Sequence, residues 1–241
     1  MIYIENDIKD AAFHFSVEEH FTRGKQLDVP VLMLWSVDNC VMIGNNQVLT
    51  SEINMDYALE NDVKIVRRSS GGGAIFTDSG TLLYTMIEPY TDDASAHMEN
   101  TASIIIEVLS LMGVDSKREG RNDILIAGKK ISGLAQFISG SHICTHGSLL
   151  YDADLDALTN VLKPNDDKLL PKGISSIRSR VTNIKPHMDA SLSVAEFKKR
   201  LKQKLLDGKD FIVYEFSSED LSRIERIHHK KFANKAWNLR M

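Results

Sequence analysis

At 241 residues the chain can form one large domain or two small ones and bury a substantial core. Its formal net charge of −4 argues against a general nucleic-acid binder, which carries a basic excess, so any anion site must be local. Two cysteines, Cys40 and Cys144, are too few for a disulfide framework and favour a reduced compartment.

The start, MIYIENDIKDAAFHF, lacks the basic and apolar regions of a secretory signal. No apolar run approaches the roughly 18 residues of a membrane helix. The expectation is a cytoplasmic protein with neither nucleic-acid nor membrane partners. Residues Asn6 to about Arg23 predict a helix with Ala11, Ala12, Phe15 and Val17 on its apolar face. VPVLMLW and CVMIGNNQ read as strands joined by the turn-like SVDN, and TSEINMDYALEND reads as one short capped helix. VKIVRR, GAIFTD and LLYTMI give three further strands around glycine-bearing turns.

Ala94 to Met112 is helical, with Ile104, Ile105, Val108, Leu109 and Met112 facing a core. DILIAGKKISGLAQ predicts a hairpin turning at Ala127-Gly128. ICTHGSLLYD is a strand, and a short helix starts at Asp154. Ser193 and Glu196 form a capping box ahead of an amphipathic helix, and a last helix runs from Ser218 to Phe232. Strands and helices interleave without regular βαβ spacing. The fold class is therefore α+β, a mixed β-sheet with surrounding helices.

Three stretches carry chemistry. RRSSGGGAIF places three glycines after two arginines. The P-loop pattern fails because no lysine-serine or lysine-threonine follows, and the dinucleotide fingerprint fails because Phe76 stands where its last glycine belongs. What remains is a backbone whose N–H groups can converge on an anion without Cβ obstruction, with Arg68 alongside. Taken alone, the triplet reads equally well as a tight turn with two solvated arginines. In GRNDILIAGKKISG, strand alternation sends Lys129 and Lys130 to opposite faces, and an inward lysine is costly unless it meets an anion. In CTHGSLLYD, His146 and Ser148 flank Gly147. A lone strand histidine is ordinarily a hydrogen-bonded core or surface residue.

Together RRSSGGGAIFTDSG, GRNDILIAGKKISG, HGSLLYDADLDAL and KGISSIRSRVTN resemble, in order and spacing, the lipoate–protein ligase A family over nearly the whole chain. The resemblance implies a single catalytic domain over residues 1–241, of the fold shared with biotin–protein ligases. It implies two half-reactions: lipoate and ATP give lipoyl-AMP with magnesium, and the lipoyl group then passes to a lysine. The implied acceptors are lipoyl domains of 2-oxoacid dehydrogenases or the glycine cleavage H-protein. On that resemblance Lys130 is the catalytic lysine, and Asp123 is also the magnesium ligand. Arg68, Ser70, Gly72, Gly73, Ala74, Ile75, Phe76, Asn122, Asp123, Gly133, His146 and Ser148 line the ATP and lipoyl-AMP site with Lys130. Trp35, Ile43 and Phe76 are the candidates for an apolar lining around the dithiolane, and Arg178 and Arg180 for a loop that guides an acidic acceptor domain.

Two departures from the family pattern stand out. Thr77 and Thr81 occupy the usual histidine and asparagine positions after the glycines. The chain ends in KAWNLRM, where many relatives continue into a small C-terminal domain that assists adenylation. That leaves open a separate accessory chain, a fragment of a longer protein, or the transfer half-reaction alone. Related octanoyl- and lipoyl-transferases use a cysteine upstream of the hairpin lysine. None stands there, and Cys144 reads as a small buried hydrophobe. The alternatives are such a transferase, working without ATP, and a non-catalytic lipoyl-domain or acyl-adenylate binding module.

Overall fold

Val31–Trp35 is buried on both of its faces, as is nearly all of Thr81–Pro89, so alternate residues must meet different partners. The computed structural model, which describes residues 1–25, 27–163, 173–189 and 192–240, resolves that requirement with two sheets. The larger contains β1 (Ile2–Ile4), β2 (Val31–Trp35), β6 (Thr81–Pro89), β7 (Lys117–Glu119), β8 (Asp123–Ile126), β9 (Lys129–Ser139), β10 (His142–Leu150) and β11 (Ile212–Tyr214). Their order is β11-β1-β2-β6-β10-β9-β8-β7. β1 runs parallel to β2 and β11, while the remaining pairs are antiparallel. The smaller sheet places β3 (Cys40–Ile43) between parallel β4 (Lys64–Arg67) and antiparallel β5 (Ile75–Thr77).

Leu32, Leu34, Leu82, Tyr84 and Met86 pack against α4 (Ala94–Ser110) and α7 (Val194–Leu206). Their neighbours Met33, Trp35, Leu83 and Ile87 face the other way, toward α1 (Ala11–Glu19) and α8 (Ser218–Ile227). The small sheet closes a third core with α3 (Met55–Glu60) and α5 (Leu155–Val161). The short α2 (Leu49–Glu52), α6 (Gly173–Arg180) and α9 (Lys235–Asn238) complete the helices used below. No helix among the described residues is long and apolar enough to cross a membrane.

The expected mixed-sheet α+β class holds, as does the Ser193–Glu196 capping box. Several local readings change. The first helix starts at Ala11, because the Asp10 carboxylate caps it by accepting from Ala12 N–H at 3.0 Å. TSEINMDYALEND makes two helices, broken where the Asn54 side chain caps α3. SVDN joins strands of different sheets: β2 pairs with β1 and β6, β3 with β4 and β5. Arg178 and Arg180 lie in α6 and not in a loop. Lys172, the first residue of KGISSIRSRVTN, lies outside the described residues.

Candidate active site

Alternation turns RRSS into a two-sided clamp. The fully buried Arg67 guanidinium donates to the carbonyls of Gly44 (3.0 Å), Asn45 (3.3 Å), Gln47 (2.7 Å), Trp237 (3.2 Å) and Arg240 (2.6 Å). Ser69 donates to Glu19 at 3.0 Å, and Lys231 donates to both residues. These two positions hold the C-terminal segment. Arg68 instead donates to Ser70 Oγ (2.9 Å) and to the carbonyls of Met42 (2.8 Å), Gly71 (2.7 Å) and Gly73 (2.7 Å). Burial pushes the Arg68 pKa down to about 10, opposed by the charge of Glu18.

The glycines are needed for different reasons. Gly72 has φ +90°, and a Cβ there would also lie 3.1 Å from Arg68 Nη2. A Cβ on Gly71 or Gly73 would meet nothing within 4 Å. Their smoothness serves the space in front of the loop and not the packing behind it.

The hairpin turns at Ala127 (φ +47°) and Gly128 (φ +76°), the pattern of a type I′ turn. Lys129 is exposed, whereas Lys130 places Nζ 2.8 Å from Asp123 Oδ1, each side chain about a third exposed. The inward lysine thus meets its anion. A β-bulge beside Leu125 resets the register, so that the next two residues, Ile131 and Ser132, are both buried. Thr182 N–H donates to the Lys130 carbonyl at 3.1 Å, so the RVTN segment braces the same backbone. Asn122 is clipped to β9, giving its side-chain amide to the Leu134 carbonyl at 2.7 Å.

A cleft with about 550 Å³ of empty space lies between the sheets. Its walls carry the apolar side chains of Phe15, Trp35, Met42, Leu83 and Leu134 and the polar ones of Arg68, Asn122, Lys130 and His146. Gly72, Gly73, Ala74, Ile75 and Gly133 also line it. A second cavity of about 490 Å³ shares Ala74, Ile75, Lys130 and Gly133 with the first, and adds Phe76, Ser132, Ser148 and Leu150. Lys130 therefore stands where the two spaces meet.

Most expected site residues converge here, and some expectations change. Ser70 is fully buried behind the wall, bonded to His146 Nε2 at 2.7 Å. Ile43 packs into the third core, because alternation along β3 gives the cleft to Met42. Thr77 donates to the Cys40 carbonyl at 3.3 Å and Thr81 to Asp78 Oδ1 at 3.0 Å, so neither lines the cavities. Cys144 is fully buried, and burial pushes its thiol well above the usual range. Met42, Leu83, Ser132 and Gly147 had no sequence signal beyond being apolar or small, and only alternation along strands of known pairing identifies them. Phe15, read as an apolar-face residue of the first helix, reaches the cleft because α1 packs against the sheet.

Residues 10–206 match the family of the lipoyl protein ligase A/B catalytic domain. Over 99% of its length the chain is 34% identical to the lipoate-protein ligase LplJ of Bacillus subtilis, of which it covers 73%. It is 30% identical over 97% of its length to lipoate–protein ligase 1 of Staphylococcus aureus, covering 71% of that protein. Among solved structures, it resembles one of a bipartite lipoate protein ligase and its E2 lipoyl domain from Thermoplasma acidophilum. The TM-score is 0.86 with 26% identity, covering 98% of this chain and 95% of that one. A lipoate-protein ligase A bound with ATP has the same fold, with TM-score 0.85 at 24% identity, covering 98% of this chain and 97% of that one. The class of protein that this fold and cleft define is thus a protein-modifying ligase. The chain belongs to the lipoyl protein ligase A/B catalytic-domain family and has the enzyme class of a lipoate–protein ligase.

Proposed function

We propose that the chain joins lipoate to ATP as lipoyl-AMP and then transfers the lipoyl group to a specific lysine of a lipoyl domain or of the glycine cleavage H-protein. The observation that carries this is the place of Lys130, shared by a largely apolar cleft and a second cavity, with Gly72 and Gly73 of the glycine loop lining the same cleft. In the first step a lipoate carboxylate oxygen attacks the α-phosphorus and pyrophosphate leaves. In the second the acceptor amine attacks the acyl carbon and AMP leaves. Both steps gather negative charge at one point, where the Lys130 ammonium stabilises it electrostatically. The cleft holds the acyl carbon in line for the amine. The acceptor lysine, with a free pKa of about 10.4, must first lose its proton.

Magnesium fits this site in the mode that uses few protein ligands, with one or two carboxylates and the substrate phosphates completing the shell. Asp123, a third exposed beside Lys130, would hold it. When bound it neutralises phosphate charge. Arg68 contributes indirectly, since its guanidinium N–H groups hold the loop that faces the nucleotide.

The chain works as a catalytic domain to which a separate accessory chain supplies help in adenylation; the likeness to a bipartite ligase supports that part. The buried, hard-to-ionise Cys144 favours this reading over a thiol-dependent acyltransferase. The test is mass spectrometry of a lipoyl domain incubated with the chain, magnesium and lipoate, with either ATP or presynthesised lipoyl-AMP. Transfer from lipoyl-AMP supports the reading, and transfer with ATP shows that no accessory chain is required. A folded chain that transfers from neither source would be a binding module.

A further inference from the structure

Through the cleft wall runs a chain of buried hydrogen bonds that the reaction above does not use. Trp35 Nε1 donates to Thr85 Oγ1 at 3.0 Å, and Thr85 Oγ1 donates to Glu18 Oε1 at 2.6 Å. The Glu18 carboxylate lies 2.9 and 3.0 Å from His146 Nδ1, whose ring reaches Ser70 Oγ through Nε2 at 2.7 Å. Ser70 Oγ accepts from Arg68 Nε at 2.9 Å, and Arg68 ends the chain on the Gly71 and Gly73 carbonyls.

The chemistry fixes the direction of each bond. Indole and guanidinium can only donate, and an ionised carboxylate can only accept. In a neutral His146 ring, Glu18 therefore selects the tautomer with its proton on Nδ1. Nε2 is left to accept from the Ser70 hydroxyl, and the Ser70 oxygen is free for Arg68. Glu18 is 1% exposed and lines neither cavity described above, so it reaches the cleft through the residues it bonds. It is the buried counter-charge of Arg68, set apart from it by an imidazole and a hydroxyl. Such a carboxylate is tolerated only when its lone pairs are satisfied, as they are here. Glu18, His146 and Cys144 have candidate ligand atoms within 4.8 Å of one another. Two of those residues are committed to each other and the third is a protonated thiol, so the cluster is arranged for hydrogen bonding and not for a cation.

We infer that Glu18 is a positioning residue for the glycine loop, acting through His146 and Ser70 on Arg68 and tying that loop through Thr85 to Trp35. The inference rests on the function proposed above, since the loop it sets is the one that faces the nucleotide. Trp35 and the glycine loop, both in the cleft wall, are then joined by one contiguous network.

The test compares wild type, Glu18→Gln, Ser70→Ala and the double variant. The first readout is amide hydrogen exchange of the ligand-free proteins over residues 68–76. Removing the charged link is expected to raise exchange there by about tenfold, the worth of a hydrogen bond to a charged group, while β7 to β9 stay unchanged. The second is the steady-state KM for ATP, expected to rise by about tenfold with little change in the KM for lipoate. The double variant should be no worse than Ser70→Ala alone, because both changes cut the same chain. Ser70→Ala keeps the Glu18–His146 pair, so it carries the exchange test even if Glu18→Gln does not fold. Unchanged loop exchange, a rise spread evenly over the protein, or additive effects would overturn the inference. Exchange is read without substrates, so a wild type that fails to ligate lipoate counts against the proposed function and is not confused with failure of this network.

Discussion

Arg68 Nη2 lies 2.7 Å from the Gly73 carbonyl oxygen and equally close to that of Gly71. The arginine beside the glycine triplet thus holds the loop from within. Gly71 and Gly73 carry no packing contact that a methyl group would disturb, whereas Gly147 does: a Cβ there would sit 2.3 Å from Tyr84 Oη. Gly73→Ala should leave thermal stability within about 0.5 kcal/mol, the usual range for a change away from packed features, yet weaken ATP binding measured by calorimetry. Gly147→Ala should instead destabilise by about 1–3 kcal/mol in urea unfolding, as overpacking does.

The Arg67 guanidinium is committed to carbonyls of the Gly44–Gln47 turn and of the C-terminal segment. Arg67→Ala would leave those buried oxygens unpaired. We expect a loss of about 3 kcal/mol, and limited proteolysis should cut first near Trp237, ahead of the sheet strands. Equal protection of that segment in wild type and variant would contradict the clamp.

His14 is fully buried, stacked on Trp35 at 4.4 Å between ring centroids, with Nε2 on the Ile8 carbonyl at 2.7 Å. Burial lowers its pKa from 6.5 to about 4, against the opposing pull of the Ile8 carbonyl and of Glu18. The unfolded chain therefore binds more protons between those two values. This stabilising contribution is complete above pH 6.5 and lost as pH falls toward 4. Burial lowers His20 in the same direction. Between pH 7 and pH 4 the wild type should lose about 3 kcal/mol more stability in urea titrations than His14→Gln does.

Cys144 is buried in the core near Glu18 and His146, and its thiol is hard to ionise. Cys144→Ala should keep acyl transfer within about threefold, a cavity effect without loss of a nucleophile. Native protein should resist iodoacetamide. Loss of transfer by a hundredfold in the folded variant would instead restore the thiol-dependent mechanism.

Much of the candidate site was legible through the motifs that carry the family resemblance, while the local signals taken singly also fitted a tight turn or an exposed hairpin. Glycines beside RRSS, a lysine inside a hairpin register and a capping box all act through neighbours in sequence. β1, β7 and β11 were not, since IYI, KRE and IVY are three residues each and their pairing is made across the chain. The separation of β2 from β3 into different sheets has the same cause. Glu18 escaped because a glutamate in an amphipathic helix ordinarily faces solvent. Only the fold brings it against His146, 128 residues away. Ile43 was misplaced for want of the register that turns Met42 to the cleft.

In the proposed reaction Lys130 serves both half-reactions from the junction of the two cavities. The most direct measurement of that role is the mass of a lipoyl domain incubated with Lys130→Ala, against wild type, supplied either with lipoate and ATP or with lipoyl-AMP. The folded variant should lose at least about a hundredfold in rate from both sources, the scale of removing one preorganised charge-stabilising group. Transfer from lipoyl-AMP at the wild-type rate would contradict it.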